Sequence, residues 1–134
     1  MSKLVKDVMT RNTVCVPHYA VVDVAIDVML SKNVSGVPVV DDDGRLMGVI
    51  TEYDVLQLYG TADSSQSYAT CEEFMTAQVK SVQEDASVDV AARIFQASAI
   101  RRLLVTSGEK LVGILSRRDV LRCIHESRNR VASV

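Results

Sequence analysis

The chain has 134 residues, 48% hydrophobic and 24% charged, which suits one compact domain or two half-size lobes that share an interface. Fifteen Lys and Arg residues against 17 Asp and Glu residues leave a net charge of −2, so composition gives no reason to expect nucleic acid or anionic lipid as a main partner. Because neither a run of about 18 apolar residues nor a signal-peptide segment occurs, we expect a cytoplasmic protein without a membrane span.

The spacing of cysteine and histidine indicates neither a disulfide framework nor a metal centre. The three cysteines, Cys15, Cys71 and Cys123, are odd in number and contain no Cys-x-x-Cys pair. His18 and His125 lie far from each other and from any cysteine pair at zinc-ligand spacing. We therefore expect free thiols in a reducing compartment and no metal ligands.

The first half of the chain predicts a strand, a helix, a hairpin and a second helix. Residues 13–16 alternate as in a short strand. The next segment has the apolar stripe of an amphipathic helix, formed by Val22, Ala25, Ile26, Met29 and Leu30. Residues 37–40 and 46–50 flank the turn residues 41–44 and predict a hairpin, after which a helix begins near Thr51.

The same order of elements returns in the second half. Residues 79–82 predict the strand. The helix stripe is formed by Val88, Ala91, Ala92 and Phe95. Residues 103–105 and 111–115 predict the hairpin, and a last helix begins near Ser116.

Two sequence motifs also occur twice. Asp-Val-Met-Thr at residues 7–10 returns as Glu-Phe-Met-Thr at residues 73–76, which is 66 positions later. Gly-Val-Ile-Thr-Glu-Tyr-Asp-Val-Leu at residues 48–56 returns as Gly-Ile-Leu-Ser-Arg-Arg-Asp-Val-Leu at residues 113–121, which is 65 positions later. The lost residue falls in the hairpin turn, where changes of length are tolerated. One supersecondary unit has therefore been made twice.

The duplication divides the chain into four segments. We predict a first repeat over residues 1–59, a polar and aperiodic linker over residues 60–70, and a second repeat over residues 71–126. Residues 127–134 form a tail that extends the last helix or frays. A single repeat of this size has a marginal core, so we expect the two repeats to pack on each other.

These ordered motifs make the chain resemble a tandem pair of CBS (cystathionine β-synthase) domains, known as a Bateman module. The resemblance rests on the Asp-Val-Met-Thr-like start, the Gly-Val-Pro-Val-Val strand and the Gly-Val-Ile-Thr-x-x-Asp end, and it covers nearly the whole chain. It implies an α+β fold with two β-α-β-β-α repeats packed about a pseudo-twofold axis through small mixed sheets. It also implies two clefts between the repeats and the assembly of modules into homodimers.

The function that the resemblance implies is a stand-alone regulatory module that senses AMP, ADP, ATP or S-adenosylmethionine. No covalent cofactor is implied, and Mg²⁺ would enter only with a polyphosphate. A regulated client would be a separate protein. The sequence has no P-loop, Gly-x-Gly-x-x-Gly or Gly-x-Ser-x-Gly motif, so we expect no catalytic residues and no enzyme activity.

A hydroxyl lies three residues before a carboxylate at both predicted strand-to-helix junctions, Thr51 before Asp54 and Ser116 before Asp119. One interpretation is capping, in which both side chains satisfy backbone N–H groups of the first helical turn. The resemblance implies a second role, in which the carboxylate accepts hydrogen bonds from the ribose hydroxyls and the hydroxyl residue supports the sugar. The two roles are compatible, because a residue in the first turn can cap the helix and still face a cleft.

Arg101 and Arg102 begin an apolar strand where the first repeat has no cation. As neighbours in a strand they point to opposite sides. They form either a solvated strand edge or a phosphate clamp, since guanidinium groups bind phosphate oxygens in pairs and stay charged. The resemblance implies that they serve the cleft of Thr51 and Asp54, which makes that cleft the expected phosphate site.

The other cleft would combine Ser116 and Asp119 with Val34 and Ser35, where no cation is available. We expect this cleft to bind weakly, to take a less charged ligand or to stay empty.

Adenine requires an apolar slot with backbone hydrogen-bonding groups, which Val49 and Ile114 can supply. As β-branched strand residues, they equally suit the core, which is the more general role of such residues.

Two other classes of function stay open. The first is a dimeric protein-interaction scaffold whose ligand sites are degenerate. The second is nucleic-acid binding through the arginines of the second half, although no aromatic residue is interleaved with them to form a stacking platform. These arginines are Arg101, Arg102, Arg117, Arg118, Arg122, Arg128 and Arg130.

Overall fold

The computed structural model describes residues 3–61 and 68–132. Within these ranges the chain forms short and long helices together with two sets of strands. In chain order the elements are α1 (Val5–Val8), β1 (Val16–Pro17), α2 (Val22–Lys32), β2 (Gly36–Val40), β3 (Leu46–Thr51), α3 (Glu52–Thr61), α4 (Cys71–Phe74), β4 (Ser81–Gln83), α5 (Val88–Ala97), β5 (Arg102–Ser107), β6 (Lys110–Ser116) and α6 (Arg117–Ala132).

The strands form two mixed sheets of three strands each. In the first sheet β1 pairs in parallel with β2, and β2 pairs antiparallel with β3. The second sheet has the same arrangement with β4, β5 and β6. The α+β class and the β-α-β-β-α order of both repeats are therefore confirmed. The first strand of each repeat begins later than predicted, at Val16 and at Ser81.

Helix α2 covers the first sheet with the predicted face, with one exception. Val22, Ala25 and Met29 are buried, and Ile26 packs at the margin of the same core. Leu30 is 78% exposed, so its place in the stripe was predicted wrongly. At about 100° per residue it lies about 80° around the helix from Val22, at the edge of the apolar face. In the second repeat, α5 buries the equivalent positions Val88, Ala91 and Phe95.

Both hairpins turn at a glycine with a positive φ, which costs a residue without a side chain little. These φ angles are 82° at Gly44 and 62° at Gly108. In the first turn, the Asp41 carboxylate accepts the backbone N–H of Arg45 at 2.8 Å and that of Asp43 at 2.9 Å. The hydrogen bond from the backbone N–H of Arg45 is the main reason why the pKa of Asp41 is lowered. The predicted turns are confirmed.

The segment that starts each repeat pairs with the sheet of the other repeat. Thr10 forms an antiparallel bridge with Ile114 of β6, and Thr76 forms one with Val49 of β3. The one-turn helix α1 continues the first contact and buries Val5 completely in the core of the second sheet. Each sheet therefore receives an additional edge segment from the other repeat.

As a result, the chain divides into two compact units whose limits differ from those of the repeats. One unit comprises residues 14–79, and the other comprises residues 1–13 together with residues 80–134. The predicted repeat limits describe the duplication; as domain limits they stay a prediction. Much of the predicted linker, residues 60–70, lies outside the described residues, although α3 continues to Thr61.

Helix α6 continues to Ala132, so the described part of the predicted tail extends the last helix. In the described part of the chain, no helix has the length and apolar character needed to cross a membrane.

Candidate functional site

At the end of β3, Thr51 and Asp54 bind each other across the first turn of α3. Asp54 Oδ2 accepts the backbone N–H and the hydroxyl of Thr51, each at 2.9 Å. In return, Thr51 Oγ1 accepts the backbone N–H of Asp54 at 3.2 Å. This reciprocal pair is a capping box, so the capping role is confirmed. Both residues are half-buried.

The hydroxyl of Thr76 reaches the same carboxylate. It lies 3.1 Å from Asp54 Oδ1 and 3.2 Å from Oδ2. The backbone bridge to Val49 holds Thr76 there, with N···O distances of 2.8 and 2.9 Å. Sequence reasoning missed Thr76 as a site residue, because it lies in the other repeat, 22 positions from Asp54. The repeated Met-Thr dipeptide was the only signal of its importance.

The junction at the end of β6 has the same capping box but a different third partner. The backbone N–H of Ser116 donates to Asp119 Oδ2 at 2.8 Å, and the N–H of Asp119 donates to Ser116 Oγ at 3.1 Å. Asp119 Oδ1 accepts from Nη1 of Arg122 at 3.2 Å. The Asp119 side chain is 12% exposed and that of Arg122 is 63% exposed. One carboxylate is therefore held by hydroxyls and the other by a cation.

The strand that leads into each junction requires glycine, because the starting segment of the other repeat passes very close. A Cβ on Gly48 would lie 2.5 Å from the carbonyl oxygen of Thr76 and 2.9 Å from Sδ of Met75. A Cβ on Gly113 would lie 2.7 Å from the carbonyl oxygen of Thr10. The two repeated motifs thus have one physical explanation: the Met-Thr segment packs over the glycine of the strand.

Arg101 and Arg102 are exposed at the start of β5. Neither guanidinium group has a hydrogen-bond or ion-pair partner within residues 3–61 and 68–132. Arg102 lies opposite Ser116 in the β5–β6 ladder. Arg117 differs, because its Nε donates to the carbonyl of Ile100 at 2.8 Å and so holds the start of the strand. The two arginines that the sequence singled out are therefore among the described cations that are available to an anion.

Val49 and Ile114 lie on the face of each sheet opposite the core. Their strand neighbours Ile50 and Leu115 are fully buried, and successive strand residues point to opposite faces. Val49 and Ile114 themselves are only half-buried. The backbone N–H and carbonyl of Val49 are hydrogen-bonded to Thr76, and those of Ile114 to Thr10. A ligand would therefore contact their side chains.

Val34 and Ser35 connect α2 to β2. Val34 packs against the margin of the first core, and Ser35 is exposed. The carbonyl of Ser35 accepts the backbone N–H of Glu52 at 2.9 Å, which ties this connection to the first turn of α3.

The predicted site residues fall into two groups. Within residues 14–79 lie Val34, Ser35, Val49, Thr51 and Asp54. The other unit contains Arg101, Arg102, Ile114, Ser116 and Asp119. Their combination into two clefts stays a prediction.

Thr13 is a further candidate that sequence reasoning did not identify as a site residue. Its Oγ1 is buried and has no hydrogen-bond partner among the described residues. A buried hydroxyl without a partner costs about 1–3 kcal/mol. A polar ligand group would offset that cost. The available signal was the polar Thr13 at the position where the second repeat has the apolar Val79.

Within the described residues, no group of three or more His, Cys, Asp or Glu side chains is placed to hold a metal ion. His18 contacts two carboxylates: its Nδ1 lies 2.9 Å from Glu72 Oε2, and its Nε2 lies 3.8 Å from Asp42 Oδ1. Glu72 precedes the Met-Thr segment, so this contact fixes α4 to the first sheet.

A family model for the CBS domain matches the chain twice, at residues 5–60 and 71–126. The two matches cover most of the chain and coincide with the two copies of the repeated motifs. The chain belongs to the CBS-domain family.

Several relatives share this CBS pair over most of its length. The uncharacterized protein YlbB of Bacillus subtilis is 36% identical over 118 residues, which are 87% of this chain and 78% of YlbB. The structure of Arabidopsis thaliana CBSX2 in complex with AMP superposes with a TM-score of 0.80 at 31% identity and covers 95% of this chain and 99% of CBSX2. The CBS pair of MJ0100 with 5′-methylthioadenosine and S-adenosyl-L-methionine superposes with a TM-score of 0.72 at 26% identity, with coverage of 95% and 99%.

Other relatives are longer than this CBS pair. The chain spans 42% of the uncharacterized protein MJ1225 of Methanocaldococcus jannaschii, at 30% identity over 120 residues. It spans 23% of the inosine-5′-monophosphate dehydrogenase of the same organism, so the match to that enzyme covers only a part of it.

Proposed function

We propose that this CBS pair is a regulatory module that binds adenosine-containing ligands (AMP, ADP, ATP or S-adenosylmethionine) and catalyses no reaction of its own. The observation that carries the proposal is the repeated junction, where a half-buried carboxylate is held in place by the residues around it and keeps acceptor capacity. The AMP complex of CBSX2 and the S-adenosyl-L-methionine complex of MJ0100 support the ligand class.

The chemistry of the junction suits a ribose. The 2′ and 3′ hydroxyls of a ribose are two adjacent donors, and a carboxylate has about four acceptor positions. At Asp54 most of the donors converge on Oδ2, and among the described residues only the hydroxyl of Thr76 donates to Oδ1. Because a hydroxyl can rotate to accept instead, Thr76 can share the carboxylate with the sugar.

The phosphate would be bound by Arg101 and Arg102, as the resemblance implies, at the site of Thr51 and Asp54. Both guanidinium groups are exposed and without a partner in the described ranges, so no existing ion pair has to be broken. A guanidinium fork can contact two phosphate oxygens at once. Mg²⁺ would accompany a polyphosphate only.

Regulation requires that the ligand bind one conformation of the module better than another, since only differential affinity shifts an equilibrium. We propose that the client of this regulation is a separate protein. The three free thiols are compatible with the reducing cytoplasm that we propose as the location.

Calorimetry with AMP, ATP and S-adenosylmethionine on folded, nucleotide-free protein tests the ligand class. Asp54→Ala is expected to weaken binding of the phosphorylated ligands by more than tenfold, whereas Asp119→Ala leaves it nearly unchanged. Because either substitution also removes a cap, worth about 1 kcal/mol, Ser87→Ala at the start of α5 is the matched control for lost stability. If no ligand produces heat, the adenosyl proposal fails; if only Asp119→Ala abolishes phosphate binding, the two sites are assigned in reverse.

We also propose that the chain forms a homodimer through α3. Tyr53, Leu56 and Tyr59 follow one another at a spacing of three on this helix, and they are 68%, 69% and 55% exposed. A stripe of large apolar side chains on one helix face is typical of a protein interface. The same surface would serve the alternative function, a dimeric scaffold with degenerate ligand sites.

Sedimentation of Leu56→Asp tests this surface. The variant is expected to be monomeric at concentrations where the parent chain is dimeric, with its ligand affinity retained. Leu30→Asp is the control, because Leu30 is at least as exposed as Leu56 and lies on a different helix. A monomeric parent chain, or a dimer that Leu56→Asp leaves intact, contradicts the proposal.

A further inference from the structure

The two junctions differ at the helix position three residues after the carboxylate. The first repeat has Gln57 there and the second has Arg122. Gln57 donates to the hydroxyl of Tyr53 at 2.7 Å, whereas Arg122 donates to Asp119 Oδ1 at 3.2 Å. The Asp54 carboxylate therefore accepts hydrogen bonds from neutral groups, whereas the Asp119 carboxylate accepts one from a permanently charged side chain.

We propose that Arg122 competes with the ribose hydroxyls for Asp119 and thereby sets the affinity difference between the two ribose sites. This inference rests on the proposed binding of adenosyl ligands. Oδ2 of Asp119 already accepts the backbone N–H of Ser116, which is part of the helix cap. Oδ1 takes no part in the cap and is the better placed oxygen for a sugar hydroxyl, but Arg122 already takes one of its two acceptor positions.

The competition is modest, because the Arg122 side chain is largely exposed and water screens the pair. Exposed ion pairs three or four residues apart on a helix are weak, which corresponds to a change of about two- to fivefold in a binding constant. The guanidinium group also draws on the negative charge that makes a carboxylate a strong acceptor. Salt weakens both effects, so the penalty should shrink as ionic strength rises.

Adenosine is the best probe, because it carries the ribose without a phosphate that an arginine could attract. In a chain with Asp54→Ala, only the Asp119 site can bind it. Adding Arg122→Gln, which copies the first repeat, is expected to strengthen adenosine binding two- to fivefold at low salt and less at high salt. Arg118→Gln, an exposed arginine near the start of the same helix, is the matched control and should change nothing.

The reciprocal exchange tests the same idea at the other site. In a chain with Asp119→Ala, Gln57→Arg is expected to weaken adenosine binding at Asp54. If Arg122→Gln leaves the affinity unchanged or lowers it while the Asp54 site binds normally, Arg122 is not a competitor and the inference fails alone. If no variant binds adenosine at either site, the proposed function fails with it.

Discussion

At the scale of single residues, the carboxylates of Asp54 and Asp119 cap helices, and we propose that they also bind ribose. Sequence alone predicted that Asp54 and Asp119 would cap helices, because the hydroxyl three positions earlier is a local signal. It could not predict that Thr76 reaches Asp54, since that contact depends on a segment from the other repeat. Nor could it show that Thr13 buries a hydroxyl without a partner, because burial is a property of the folded chain.

The cysteines give a prediction at this scale. Burial raises the pKa of the Cys71 thiol, and partial loss of solvent raises that of Cys15; the reactive species is the thiolate. Cys71 and Cys123 are buried, whereas Cys15 is exposed. In the folded protein we expect a thiol reagent to modify Cys15 alone, at a rate that still rises above pH about 8.5, the ordinary thiol pKa.

Mass spectrometry of the intact protein after timed alkylation checks this expectation. Cys15→Ser should remove the fast phase, and unfolding in urea should expose the two buried thiols. Modification of Cys71 at the rate of Cys15 under native conditions would contradict the burial of α4.

At the scale of elements, local patterns predicted the long helices and the hairpins, because their periodicities of 3.6 and 2 are present within a few residues. The one-turn helices α1 and α4 were not predicted, since four residues are too few to show a period. The pairing of each Met-Thr segment with the sheet of the other repeat was not predicted either. Such pairing is long-range, and only the unexplained repetition of the motif indicated it.

The close approach of the Met-Thr segment gives a prediction for Gly48. Gly48→Ala would force the new Cβ against backbone as well as against Met75, and backbone cannot yield as a flexible side chain does. We expect a loss of about 1–3 kcal/mol in the free energy of unfolding, measured in urea. The matched control is Gly60→Ala in α3, where a Cβ meets nothing within 4 Å and helix propensity should make the change stabilising. Equal effects of the two substitutions would contradict the packing.

At the scale of the whole molecule, duplication of sequence and division into compact units do not coincide. The core of the first sheet includes Ala69 and Cys71, which precede the second repeat's motif, and the core of the second sheet includes Val5. Each core is therefore complete only with residues from outside its own repeat. The segment that completes the first core also carries Thr76 to Asp54, so a ligand bound at Asp54 should stabilise the unit of residues 14–79.

Two fragments of equal length test whether the compact unit or the sequence repeat is the part that folds on its own. Residues 14–79 contain every member of the first core, whereas residues 1–66 lack Ala69 and Cys71 and leave Val5 without its core. We expect the fragment of residues 14–79 to unfold cooperatively in urea and to show dispersed amide resonances. The fragment of residues 1–66 should show neither property, because a core of this size has little stability to lose. Equal stability of the two fragments would mean that the repeat itself folds independently and that the exchanged segments contribute little.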